Sequence, residues 1–198
     1  MELDAARGTV RAHVVRAALD LLMEIAAPMH VQVALDASGM QLTTHGEGPW
    51  WATVTIPATE VTGAAAASVP RLELRQAVDA EALLVPEATC TATVVTDDVL
   101  RYGGFALAAT EPDPRPPGPA GPSVRIELAP IVDGRGETPD GRRLTVPAPS
   151  LDRFGARGIE TADVVDGPDG PYLVGRAASD GGSTTMEVVL VARAEWSG

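Results

Sequence analysis

The chain contains no lysine and no asparagine, one cysteine (Cys90), three histidines, and aromatic residues at only 4% of its 198 positions. With a single cysteine, no disulfide can close within the chain and no thiolate cluster can hold a metal, so a reducing compartment is expected. No apolar run approaches the about 18 residues a membrane helix needs. The start, Met1-Glu2-Leu3-Asp4, is acidic where a signal peptide is basic and then apolar, which predicts a cytoplasmic protein. Positive charge is also scarce: 15 basic residues, all arginine, stand against 27 acidic ones, for a formal charge of −12. That balance opposes tight binding to an open nucleic-acid surface or to anionic lipid. We read the missing lysine and asparagine as a coding bias of a GC-rich gene.

What is present is ordinary globular material, 45% hydrophobic and 21% charged, enough for one core or two small ones. Residues 9–27 have helical periodicity, with Val14, Ala18, Leu21, Leu22 and Ile25 on one face and His13, Arg16, Asp20 and Glu24 on the other. Thr9 is the expected N-cap, and Pro28 the stop. Strands are predicted at 29–35, 40–44 and 50–57, the first two joined by the turn Ser38-Gly39. In 58–88 the Ala64 to Ala67 run favours helix, Arg71 to Arg75 alternates like a strand, and Val78 to Leu84 fits a short helix before Pro86. Strands at 89–96, 100–102 and 105–109 follow.

Residues 112–122 hold repeated prolines and predict an extended linker. It divides the chain into a helix-plus-meander domain at 1–111 and a smaller β-rich domain at 123–198. In the second, strands are expected at 124–128, 143–146, 172–175 and 185–193, with a single helical turn at 149–154. The last strand places Met186, Val188, Leu190 and Ala192 on one face. The fold class is α+β, built from antiparallel sheets with few helices.

Candidate chemistry is sparse. His13 lies on the wet side of the first helix and His30 and His45 on strands, where surface or edge histidines are the ordinary outcome. Cys90 belongs to an apolar strand face and is expected to be buried and inert. The acidic, glycine-rich stretches 133–137 and 163–170 lack the ligand spacing of a calcium loop and read as solvated turns. No glycine-rich loop follows a strand and opens a helix to hold phosphate, so neither metal nor cofactor is predicted and an enzyme is the weaker class. Arg7 and Arg11, one helical turn apart, together with Arg16 would make the first half of that helix basic. The adjacent indoles Trp50 and Trp51 fall on opposite sheet faces, which leaves one as a contact surface for a protein partner.

In two stretches the chain resembles the DNA sliding clamp family. One is the opening unit of residues 8–57, a helix followed by paired strands running through Val31-Gln32-Val33-Ala34-Leu35 to Val54-Thr55-Ile56-Pro57. The other is the closing hairpin, from Gly170-Pro171-Tyr172-Leu173-Val174 to Met186-Glu187-Val188-Val189-Leu190-Val191-Ala192-Arg193. That family's final strand carries Met-Pro-x-Arg, of which this chain keeps only Arg193, with Leu190 and Val191 in place of Met and Pro. The resemblance implies clamp-like repeats of a helix and a meander in a non-catalytic, self-associating platform for partner proteins, possible on double-stranded DNA. It further implies a partner site near Tyr172, Leu190 and Ala192, and Arg7, Arg11 and Arg16 turned toward DNA. The alternative reading is a stand-alone interaction or regulatory module that uses the Trp50-Trp51 sheet and never meets DNA.

Overall fold

The computed structural model describes residues 5–26, 28–45, 50–84, 89–95, 98–112, 122–167, 169–181 and 184–197. In chain order the first elements are β1 (Ala5–Arg11), α1 (Ala12–Ile25), β2 (His30–Asp36), β3 (Gly39–His45), β4 (Trp50–Ile56), β5 (Thr59–Thr62), β6 (Ala65–Pro70), α2 (Arg71–Leu84), β7 (Thr89–Val95), β8 (Val99–Tyr102) and β9 (Phe105–Ala108). There follow β10 (Ser123–Glu127), β11 (Arg135–Glu137), β12 (Arg143–Thr145), α3 (Ala148–Ala156), β13 (Thr161–Gly167), β14 (Gly170–Asp180), β15 (Thr185–Arg193) and β16 (Glu195–Ser197). Each helix is followed by a run of strands, as in α1 with β2 to β4, α2 with β7 to β9, and α3 with β13 to β15. This is the α+β architecture with repeated helix-plus-meander units that the sequence predicts. All pairings described between strands are antiparallel.

The chain divides into two compact units, each assembled from separate segments. Unit 1 takes residues 1–45, 53–114 and 178–187, and unit 2 takes 46–52, 115–177 and 188–198. The chain thus passes from one unit to the other within β4, β14 and β15. Most of the expected linker, residues 113–121, lies outside the described residues, as does the run 46–49.

In unit 1, β5-β1-β7-β8-β9 form one sheet, and β2 pairs with both β3 and β6. Helix α1 lies beside α2 and buries Val14, Ala18, Leu21 and Leu22 of the predicted face together with Val15 and Leu19, while Ile25 is half-buried. The helix is shorter than expected. Residues 5–11 form β1, whose Ala6, Gly8 and Val10 point inward while Arg7 and Arg11 are exposed, so Thr9 is a strand residue and not an N-cap. A helix through Gly8 would cost about 1 kcal/mol relative to alanine. In the strand Gly8 lets two side chains pack close, since a Cβ there would sit 3.2 Å from both Leu35 and Val61.

Two further expectations in 58–88 are corrected. The alanine run is the strand β6, bounded by Gly63 (φ +74°) and Pro70 and held in register with β2 through Ala67↔Val33 and Val69↔Val31. Such a short segment gains more from pairing than alanine propensity gains from helix. Conversely, Arg71 to Arg75 begins the helix α2: Leu74 is fully buried whereas Leu72 is 65% exposed, which the shared face of a strand would forbid. Leu74, Ala77, Val78 and Ala82 make its inner stripe.

In unit 2, β10-β13-β14 are consecutive neighbours and β12 lies between β11 and β16. The stretch 163–170, expected as a turn, is mostly strand: Asp163 to Gly167 end β13 and pair with Val174 to Gly170 of β14. Asp163 stays on that strand because Arg125 and Arg176 pair with its carboxylate at 3.1 and 3.0 Å. The predicted single turn at 149–154 is the longer helix α3.

Candidate partner interface

Helix α3 exists because of what starts and stops it. Pro147 precedes it, Pro149 sits in its first turn where a missing N–H costs nothing, and Leu151 N–H reaches back to the Pro147 carbonyl at 3.3 Å. At the other end Gly158 has φ +64°, its N–H bonds the Gly155 carbonyl at 3.0 Å, and Ile159 N–H bonds the Phe154 carbonyl at 3.0 Å. That pair of bonds is a Schellman closure, and it brings Ile159 and Phe154 together as its hydrophobic contact. Both side chains are buried over Gly175 of β14, where a Cβ would come within 2.4 Å of the Phe154 ring and 2.7 Å of Ile159.

The helix so placed lays Arg153 across Trp50. The guanidinium carbon is 4.0 Å from the indole centroid, and Arg153 Nη1 donates to the Pro149 carbonyl at 2.8 Å. Ser150, Arg153 and Phe154 of α3 and Trp50, Leu190, Val191 and Ala192 of β4 and β15 line a small pocket of about 10 Å³. Trp50 is only 5% exposed, yet its indole N–H has no hydrogen-bond partner.

Alternation along β4 puts Trp51 on the other side from Trp50. Its ring meets Tyr172 edge to face, with centroids 5.7 Å apart at 66°. Tyr172, Val165, Val174 and Val191 form a buried cluster against which the half-buried Trp51 and Val189 pack. The structure therefore gathers the five residues predicted for partner binding in unit 2, as two clusters: Trp50 with Leu190 and Ala192, and Trp51 with Tyr172. It does not open them as a groove. Trp50, Tyr172, Leu190 and Ala192 are all buried, and Trp51 alone of the five is partly exposed. Arg153 and Phe154 escaped sequence reasoning, although Gly158 marks the helix end that positions them. Arg193, the retained residue of the closing motif, donates from Nη2 to the Asp169 carbonyl at 2.5 Å.

The predicted arginine stripe does not exist as one helix face. Arg7 and Arg11 lie on β1, and Arg16 lies on α1 in an ion pair with Asp79 at 3.2 Å. Arg75 of α2 pairs with both Asp20 and Asp79. Together α1 and α2 carry three arginines against five carboxylates.

His13, His30 and His45 sit on α1, β2 and β3, and among the described residues no group of histidine, cysteine and carboxylate side chains could hold a metal. Cys90 is buried, with its thiol 3.5 Å from a Glu81 carboxylate oxygen. Burial, with the Glu81 charge beside it, pushes that thiol up to about 11, so it stays protonated. No described helix is long and apolar enough to cross a membrane.

No protein-family model matches the chain. No curated protein matches it in sequence. Solved structures do match. A sliding clamp from Pseudomonas aeruginosa, DNA polymerase III subunit beta bound to griselimycin, superposes with a TM-score of 0.61 at 11% identity, over 96% of this chain and 64% of that one. The beta chain of Streptococcus pneumoniae gives 0.59 at 12% identity, over 98% and 66%. The beta subunit of Thermotoga maritima gives 0.53 at 12%, over 96% and 64%. The chain spans about two thirds of the length of these subunits, and over that span it has the sliding-clamp fold.

Proposed function

We propose that the chain is a non-catalytic platform that self-associates and holds partner proteins on unit 2, at the Trp50 and Trp51 clusters. The observations that carry this are the packing of Trp50, Leu190 and Ala192 against α3 and of Trp51 against Tyr172 on the other side of β4, within a fold shared with sliding clamps. One of those clamps is named as bound to griselimycin, which supports a ligand-accepting surface on this fold.

Self-association has its own support. Strand β9 ends one sheet of unit 1, beside the C-terminal end of α2, and there Leu83 and Leu84 are 73% and 75% exposed and Phe105 37%. In unit 2, β10 is an end strand, and Val132 beyond it is 66% exposed. Unpaired edges flanked by exposed apolar side chains suit head-to-tail pairing of copies, which closes into a ring when the rotation allows. In such a ring DNA is retained by topology, and Arg7, Arg11 and Arg16 add little affinity because so few phosphates are met. The excess of carboxylates on α1 and α2 favours a second reading, a partner-binding module that never meets DNA.

The test is a selection of displayed nonapeptides on the whole chain. Peptides sharing apolar anchors, and losing affinity to Trp51→Ser, support the reading. A selection that returns no apolar consensus, or peptides indifferent to that substitution, overturns it.

A further inference from the structure

Strand β9, an edge at which copies are proposed to meet, begins from a turn with no stiffness of its own. It is joined to β8 by Gly103 and Gly104 alone, with Tyr102 paired to Phe105 and Gly103 at φ +55°. Two glycines leave such a turn many conformations, so its own sequence does not hold β9 in one place. The edge is also unguarded: Phe105, Ala106, Leu107 and Ala108 include no charge and no proline, the usual protection of an open strand.

What holds the turn is Glu81, in the last turn of α2. Its Oε1 accepts the Gly104 N–H at 3.0 Å, and its Oε2 accepts the Cys90 thiol of β7 at 3.5 Å. The fit is reciprocal, because a Cβ on Gly103 would lie 2.4 Å from both Cδ and Oε1 of Glu81. A glycine there lets the carboxylate reach the turn. Helix α2 by itself gives no reason for a carboxylate at this place. Its C-terminal end is the negative pole, and no basic residue in the last turn offsets the added charge. The Gly104 and Cys90 donors do so instead, and one side chain ties α2, β7 and the start of β9 together.

We infer that Glu81 is the positioning residue of the β9 edge, an inference that rests on the self-association reading above. The carboxylate keeps Phe105 in a fixed relation to the end of α2, where Leu83 and Leu84 are exposed, so that a second copy meets a preformed edge. Without it the Gly103-Gly104 turn must be ordered each time copies associate, and that lost freedom weakens binding.

The test reads two quantities on the full chain: the dissociation constant between copies, by sedimentation velocity, and hydrogen exchange at the Gly104 amide. In Glu81→Ala the constant rises about tenfold, the worth of one hydrogen bond to a charged group. Gly104 then exchanges faster, while the denaturation midpoint moves by no more than about 2 °C, as for a surface substitution. Glu81→Gln keeps an acceptor and restores most of the association. An unchanged constant in Glu81→Ala, a Gly104 amide that exchanges freely in the native chain, no rescue by Glu81→Gln, or weaker association that comes only with a larger fall in the midpoint overturns this inference and leaves self-association standing. A native chain that never associates overturns both.

Discussion

Replacing Gly175 by alanine probes the packing that seats α3 over Trp50. The added Cβ would lie 2.4 and 2.6 Å from two Phe154 ring carbons and 2.7 Å from a methyl of Ile159, where carbon atoms normally keep about 3.5–4.0 Å. The ring and the helix end must retreat together, because Ile159 is tied to Phe154 by the bond that closes α3. Overpacking of this kind costs about 1–3 kcal/mol. At about 2–4 °C per kcal/mol for a chain of this size, the unfolding midpoint falls by about 2–12 °C. The retreat also lifts Arg153 from Trp50, so the near-ultraviolet circular dichroism of the indoles changes in the folded protein. Shortening the ring in the same background, with Phe154→Leu, relieves the clash, and the double variant recovers about 1 kcal/mol or more relative to the sum of the single losses. Calorimetry of the four proteins decides it. An unchanged midpoint in Gly175→Ala, or strictly additive losses, would refute the packing account.

Leu84→Asp and Phe105→Asp change exposed side chains, so each alters stability by only about 0.5 kcal/mol while shifting the chain toward monomer, which size-exclusion chromatography reads directly. Cys90 resists alkylation in the folded chain at pH 8 and reacts fully in denaturant. Because folding raises its thiol from the usual 8.5 or so to about 11, its contribution to stability is complete below the unfolded value and is lost as pH rises through that window; Cys90→Ala removes this alkaline loss in urea titrations. If copies encircle DNA, retention on closed circular DNA falls by no more than about tenfold between 50 and 200 mM salt, as for about two phosphate contacts, and linearising the DNA releases the protein; a steep salt dependence on linear DNA contradicts this. Gly39→Ala, at φ +124° with the Ile56 carbonyl 2.3 Å from the new Cβ, destabilises the β2–β3 turn by more than about 1 kcal/mol, seen as a lower denaturation midpoint.

Strong periodicity made much of the fold legible, and local ambiguity hid the rest. Strand β4 and most of β15 alternate, and their predicted inward residues are buried, whereas β2 and β3 are buried on both faces. Strand β1 was hidden because Arg7 and Arg11 are spaced for a helix as well as for one strand face, and only contact with Leu35 and Val61 explains Gly8. Helix α2 was hidden because Leu72 and Leu74 mimic alternation, with the deciding inner positions lying further along at Ala77, Val78 and Ala82. At the proposed partner site, sequence pattern picked out the apolar residues of β4, β14 and β15 that lie in unit 2. It could not find Arg153, whose role comes from the place where α3 crosses Trp50, nor foresee that this crossing closes the site.

Light scattering across a concentration series tests the platform most directly. The account predicts one discrete multimer whose mass stops growing once the edges of β9 and β10 are paired around a closed ring. A monomer at micromolar concentration, or a mass that climbs without limit, would contradict it.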